Sequence, residues 1–169
     1  MIKIVVTGPE SSGKTTLATA LASHYQAPWV PEYARTYLDQ LNRPYQEEDL
    51  LLIAQGQMRQ EEEAARRCPP LLICDTSLVV IKVWSDYRYG RCHPWIEEQL
   101  NQRSVDSYLL CRPDLPWEPD PQRENPRTRD VLFTLYQKAL SSSAHVTIEG
   151  ESSQRLKLAT HLIDGLFGT

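Results

Sequence analysis

The 169 residues hold no apolar run long enough to span a bilayer and, at "MIKIVV", no secretory leader core. The expectation is a cytoplasmic protein with no membrane partner. A C-x-x-C pair is also missing: Cys68, Cys74, Cys92 and Cys111 are widely spaced, which suggests neither a zinc site nor a disulfide framework and predicts reduced, mostly buried thiols. Positive charge is in short supply. With Lys+Arg at 18 against Asp+Glu at 22, the formal net charge is -4, so the chain has no general attraction for nucleic acid, and none is expected as a partner. There is no internal repeat. Guanine-reading N-K-x-D and switch D-x-x-G strings are both absent, which argues against a GTPase.

What is present begins with enough apolar content, 41%, for one compact domain, expected to occupy residues 1–169. Short β-rich runs alternate with helical patterns, the mark of βαβ units and a parallel sheet covered on both faces. The predicted strands are Ile2 to Thr7, Pro28 to Pro31, Leu71 to Cys74, Ser107 to Cys111 and Val146 to Ile148. A long helix is predicted from Gln46 to Arg67, acidic at its start and basic at its end as the helix dipole favours. Its apolar stripe of Leu50, Ile53 and Ala54 turns polar at Gln57 and Glu61. Such a helix has either run past the core to the surface or borders a polar cavity. Residues 112–129, "RPDLPWEPDPQRENPRTR", carry five prolines and four arginines, predicting an ordered loop with a helix starting near Pro126.

The string Gly8-Pro-Glu-Ser-Ser-Gly13-Lys14-Thr15 satisfies G-x-x-x-x-G-K-[ST], follows a predicted strand and opens a predicted helix. In that setting successive backbone N–H groups cradle phosphates at the positive end of a helix. Gly8, Glu10, Ser11, Ser12, Gly13, Lys14, Thr15 and Thr16 are therefore the predicted nucleotide-binding residues, with Lys14 reaching the β- and γ-phosphates and Thr15 placing Mg²⁺. Asp75, directly after the third strand, either helps hold the metal or caps the helix that follows. Glu32, just beyond the second strand, either faces the same crevice at the carboxyl end of the sheet or merely opens a helix. Arg123, Arg127 and Arg129 fit the growing charge of a transferring phosphoryl group as well as a solvated loop. The parts suit a small kinase.

The ordered set "TGPESSGKTTLATALA", "VPEYARTYL", "IAQGQ", "ICDTS" with "KVWSDYRYG", and "YLLCRPDLPWEPDPQRENPR" resembles the ribosylnicotinamide kinase domain of the NadR proteins and their stand-alone relatives over nearly the whole chain. The resemblance implies a P-loop fold of three α/β/α layers, with a five-stranded parallel sheet in the order 2-3-1-4-5 and a lid at about 112–129. It implies Mg-ATP-dependent phosphorylation of a nucleoside 5′-hydroxyl, nicotinamide riboside first. Glu32, Tyr33, Arg35, Gln57 and Asp75 would line the acceptor pocket, Gln57 reaching in from the long helix, while Trp117, Asp120 and Arg123 would belong to the lid, Trp117 offering its face to a ring. Either Glu32 or Asp75 would take the hydroxyl proton. Trp84 matches the pattern too but is expected in the core. The H-x-G-H signature of a nucleotidyltransferase is absent, so no adenylyl transfer is implied. The rival expectations are a kinase for another nucleoside or nucleotide, and a nucleotide-sensing regulatory ATPase.

Overall fold

In the computed structural model, which describes residues 1–168, the first apolar run becomes the central strand. Here β1 (Ile2–Thr7) pairs in parallel with β3 (Leu71–Asp75) on one side and β4 (Ser107–Cys111) on the other, while β2 (Trp29–Val30) and β5 (His145–Ile148) form the edges. The order is β2-β3-β1-β4-β5, as the sequence led one to expect.

Alternation along the strands sends side chains to two buried faces, so the central strands read as unbroken apolar runs. Ile4, Val6, Ile73 and Leu109 face α1 (Lys14–Tyr25) and α7 (Ser152–Phe167). On the other face Val5, Leu72, Cys74 and Leu110 pack under α4 (Leu78–Tyr89) and α6 (Arg129–Ala139). A third apolar cluster, including Ala34, Leu50, Ile53, Leu78 and Ile96, joins α2 (Tyr33–Gln40), α3 (Glu47–Ala65) and α5 (Pro94–Gln102) to α4. The result is helices on both sides of a parallel sheet, with the carboxyl ends of β1, β2 and β3 opening on one edge.

Several boundaries differ from expectation for local reasons. The second strand shrinks to Trp29–Val30 because Pro28 and Pro31 flank it and have no N–H to pair. α3 starts at Glu47 because Gln46 and Asp49 close a reciprocal capping box. α6 begins at Arg129, three residues after Pro126, since the N–H groups of Glu124 and Asn125 are bound to the Glu10 carboxylate and hold the chain as a loop. Cys74 and Cys111 are buried, Cys92 is half-buried and Cys68 is exposed; all are free thiols. Among the described residues no helix is long and apolar enough to cross a membrane.

The polar break in α3 is resolved in a way neither expectation anticipated. Gln57 and Glu61 are only 2% and 3% exposed. Tyr33 N–H donates to Gln57 Oε1 at 2.9 Å, and Glu61 accepts from Lys3 Nζ at 2.6 Å and Arg103 Nη1 at 3.3 Å. The stripe turns polar because it braces the first turn of α2 and anchors the start of β1.

Candidate active site

The chain leaves β1 and wraps through Gly8 to Gly13 before entering α1 at Lys14. Gly8 (φ 139°) and Gly13 (φ 82°) both take positive φ, and a Cβ on Gly8 would lie 2.6 Å from the Cys111 carbonyl oxygen, so only glycine fits there. Ser12 Oγ donates to Pro9 O at 2.7 Å and Lys14 Nζ donates to the same oxygen at 2.7 Å. The unpaired N–H groups of the first turn of α1 follow directly, which leaves an anion-binding concavity with a lysine at its mouth.

Across the loop, Thr15 Oγ1 donates to Asp75 Oδ2 at 2.6 Å. Asp75 is 1% exposed, and its other oxygen, Oδ1, has no hydrogen-bond partner among the described residues. Burial pushes its carboxyl up to about 6, outweighing the Thr15 hydrogen bond; the charge of Glu32 adds to the rise. The helix-cap reading of Asp75 falls away, because Ser77 is the cap of α4 and accepts from Val79 N. A buried carboxylate with an orphan oxygen beside a loop hydroxyl is a donor set that fits Mg²⁺. Thr76 follows at φ 72°, a left-handed conformation that a β-branched residue adopts only under strain, and such strain collects at functional sites.

A cavity of about 590 Å³ runs from the loop toward α2, α4 and α6, well within the range of small-molecule sites. Glu32 and Arg35 line it, and Arg35 Nε lies 3.4 Å from Glu32. The far wall is apolar and aromatic, formed by Val80, Val83, Trp84 and Tyr87 from α4 and Tyr136 from α6. Tyr136 is 4% exposed; burial first, then the charges of Glu32 and Glu10, push its phenol pKa up.

Residues 112–128 cross above both halves. Glu10 accepts from the Asn125 N–H at 2.8 Å, Ser11 Oγ accepts from the Glu118 N–H at 2.9 Å, and Arg129 donates to Ser11 O at 3.0 Å. On the other flank Arg35 Nη1 donates to Asp120 at 2.9 Å and Gln122 Nε2 donates to Asp39 at 2.6 Å. The backbone N–H of Gln122, and then Arg35, pull the Asp120 carboxyl below its usual range.

A family profile described as an AAA domain matches residues 3–154. The chain belongs to that AAA-domain family. The resemblance to the NadR proteins holds as well: the chain is 27% identical over 123 residues to the trifunctional NAD biosynthesis/regulator protein NadR of Escherichia coli strain K12, and to that of Salmonella typhimurium strain LT2. That stretch is 69% of this chain and 30% of the relative, so the chain spans under a third of the curated relatives it matches. A crystal structure of a NadR protein in complex with NR superposes with a TM-score of 0.85 at 21% identity, covering 99% of this chain and 52% of that one. Thymidylate kinase from Ehrlichia chaffeensis superposes at 0.66 with 16% identity, covering 95% and 98%. These likenesses establish a P-loop fold.

Within this AAA-domain chain the expected residues divide. Gly8 to Thr16, Glu32, Arg35 and Arg123 converge on the one cavity, with Asp75 bonded beneath it to Thr15. Glu10 and Ser11 of the loop also bind the proline-rich segment. Gln57 does not reach into the cavity; it is bonded to the Tyr33 N–H, and the Tyr33 ring fills the space left by the missing side chain of Gly56, where a Cβ would lie 1.9 Å away. Trp117 is not among the residues that line the cavity; the guanidinium groups of Arg129 and Arg123 lie 5.6 and 6.0 Å from its ring centroid. Asp120 is spent on Arg35.

Several site residues escaped the sequence reading, Tyr87 and Tyr136 among them. Trp84 packs against the third core cluster, as expected, but stands on the cavity wall as well; Val80, Val83, Trp84 and Tyr87 follow helical i, i+3, i+4, i+7 spacing, a stripe that would have flagged it. Arg155, 2% exposed, donates to Ser12 O at 2.5 Å, Gly150 O at 2.7 Å and Arg112 O at 2.9 Å and pairs with Asp114. It pins the outer side of the phosphate loop to α7. An arginine in register with the buried Ala159 and Ile163 was the available signal.

Proposed function

We propose that this chain is one kinase domain, with 112–129 as its lid, that transfers the γ-phosphoryl group of ATP to the 5′-hydroxyl of a nucleoside, nicotinamide riboside first. The observation that carries the reading is that the phosphate loop and Glu32 line one cavity, with Thr15 of the loop bonded to the buried Asp75 beneath it. A cradle alone binds nucleotide; a carboxylate across the same space gives the phosphate a destination. Two indole and phenol faces, Trp84 and Tyr87, suit a flat base, and with Glu32 beside them they favour a cationic ring such as a pyridinium. The complex of a NadR protein with NR points the same way.

The triphosphate would lie against the N–H groups of the loop, and its oxygens would replace the Pro9 carbonyl as the partner of Lys14. Thr15 and Asp75 would hold Mg²⁺, which supplies positive charge to the β- and γ-phosphate oxygens when bound. Glu32 accepts the proton of the 5′-hydroxyl as its oxygen attacks phosphorus; the bond to the β-phosphate oxygen breaks, and ADP leaves with that electron pair. Glu32 is favoured over Asp75 as base because Asp75 is committed to Thr15 and the metal. Arg123, within the lid and lining the cavity, faces the charge that grows in the transition state.

A thermal-shift screen of nucleosides with a non-hydrolysable ATP analogue and Mg²⁺ tests the acceptor. Nicotinamide riboside is expected to raise the midpoint most. A larger shift with thymidine or adenosine would reassign the substrate, and no shift with any nucleoside would favour a sensing ATPase instead.

A further inference from the structure

We propose that Tyr45, which does not line the cavity, is a positioning residue whose one hydroxyl fixes the Trp84 wall and fastens the lid on the acceptor side. The inference rests on the kinase reading above. Tyr45 sits in the connection between α2 and α3, and its hydroxyl makes two bonds: it accepts from Trp84 Nε1 at 3.2 Å and donates to Glu124 Oε2 at 2.7 Å. Its ring also meets the indole edge-on, with centroids 5.0 Å apart and planes at 73°.

An indole N–H is a donor only, so the oxygen it finds sets the plane of the ring. Trp84 is the largest side chain on the cavity wall, and Tyr45 supplies that oxygen from behind. A phenol serves here because it donates and accepts at once. Burial, with the Glu124 charge adding, holds the Tyr45 hydroxyl up at about 12, so it stays protonated at any working pH.

Glu124 is where two fastenings meet. Its side chain accepts the hydrogen bond of the Tyr45 hydroxyl, while its backbone N–H donates to Glu10 of the phosphate loop at 3.1 Å. Removing the Tyr45 hydroxyl therefore releases one acceptor-side fastening and the indole together, and leaves in place the lid's bonds to Glu10 and Ser11 and its bonds to Arg35 and Asp39. The damage should fall on the acceptor and spare ATP, whereas mere packing would disturb both.

The test is steady-state kinetics of Tyr45→Phe, which keeps the ring and its edge contact, beside Glu124→Ala and the double variant. In Tyr45→Phe the acceptor KM is expected to rise about tenfold with the ATP KM within about twofold, and the melting midpoint within about 3 °C of wild type. The double variant should be no worse than Tyr45→Phe, because one hydroxyl serves both partners. An unchanged acceptor KM, an equal rise in both KM values, or additive losses would overturn the proposal while leaving the kinase intact. Wild-type protein that phosphorylates no nucleoside overturns the kinase reading, and this one with it.

Discussion

Nine consecutive residues, Gly8 to Thr16, make the phosphate loop, whereas the cavity wall proposed to hold the acceptor gathers Glu32 and Arg35 from beside β2, Trp84 and Tyr87 from α4 and Tyr136 from α6. The first region is specified by backbone: two positive-φ glycines, a close approach to Cys111 and the start of a helix. The second is specified by side chains that meet only because the sheet and helices bring them together. The contiguous turn demands glycine at Gly8 and favours it at Gly13, yet says little about what receives the phosphate. The dispersed wall carries that information, and each of its members contributes a modest share.

If the donor half works as a unit, its lysine should show the largest loss. Lys14→Ala is expected to lower kcat by about 10³-fold, roughly 4 kcal/mol of barrier, because a charge on the transferring phosphoryl group disappears; single-turnover assays at saturating ATP check this.

Next comes a stability effect that separates the two halves. Asp75 is buried with its carboxyl raised to about 6 from 3.8, so the folded, metal-free protein binds this proton more tightly than the unfolded chain does. Its ionised form costs nothing below pH 3.8, costs progressively more as pH rises toward 6, and carries the full penalty above it. Asp75→Asn should therefore stabilise metal-free protein at pH 8 by on the order of 2 kcal/mol and have little effect near pH 4, as read by denaturant melts, while abolishing Mg²⁺-dependent turnover. Equal effects at both pH values would contradict the assignment.

On the acceptor side, Glu32→Gln should lower phosphoryl transfer by at least about tenfold, about 1.4 kcal/mol, with ATP affinity unchanged in calorimetry. Unchanged turnover would remove Glu32 from the proton path. The smallest expected effect is Trp84→Leu, which should raise the acceptor KM by roughly fivefold through loss of a ring face, with the ATP KM steady.

The same contrast explains what was legible in the sequence. The strands and the phosphate loop could be read because each depends on a few neighbouring residues and on the period of apolar positions, whereas the strand order followed only from the family resemblance. Gln57 was misassigned because a polar residue on an inward helix face looks alike whether it meets a ligand or a backbone N–H. The two indoles were hard to place for a related reason: Trp84 on a helix resembles core, where it does pack while also lining the cavity, and Trp117 in a loop resembles a ligand platform until its partners are known. Arg155 was overlooked because three of its four partners, Ser12, Arg112 and Asp114, lie in two distant segments.

The central claim is that the phosphate held by the loop is handed across the cavity to a nucleoside. Incubating the protein with Mg²⁺, nicotinamide riboside and ATP labelled in its γ-phosphoryl group, and resolving the products, tests it directly. The account predicts label in the nucleoside 5′-monophosphate, formed in step with ADP. Label found only in inorganic phosphate, at a rate that the nucleoside does not change, would contradict it.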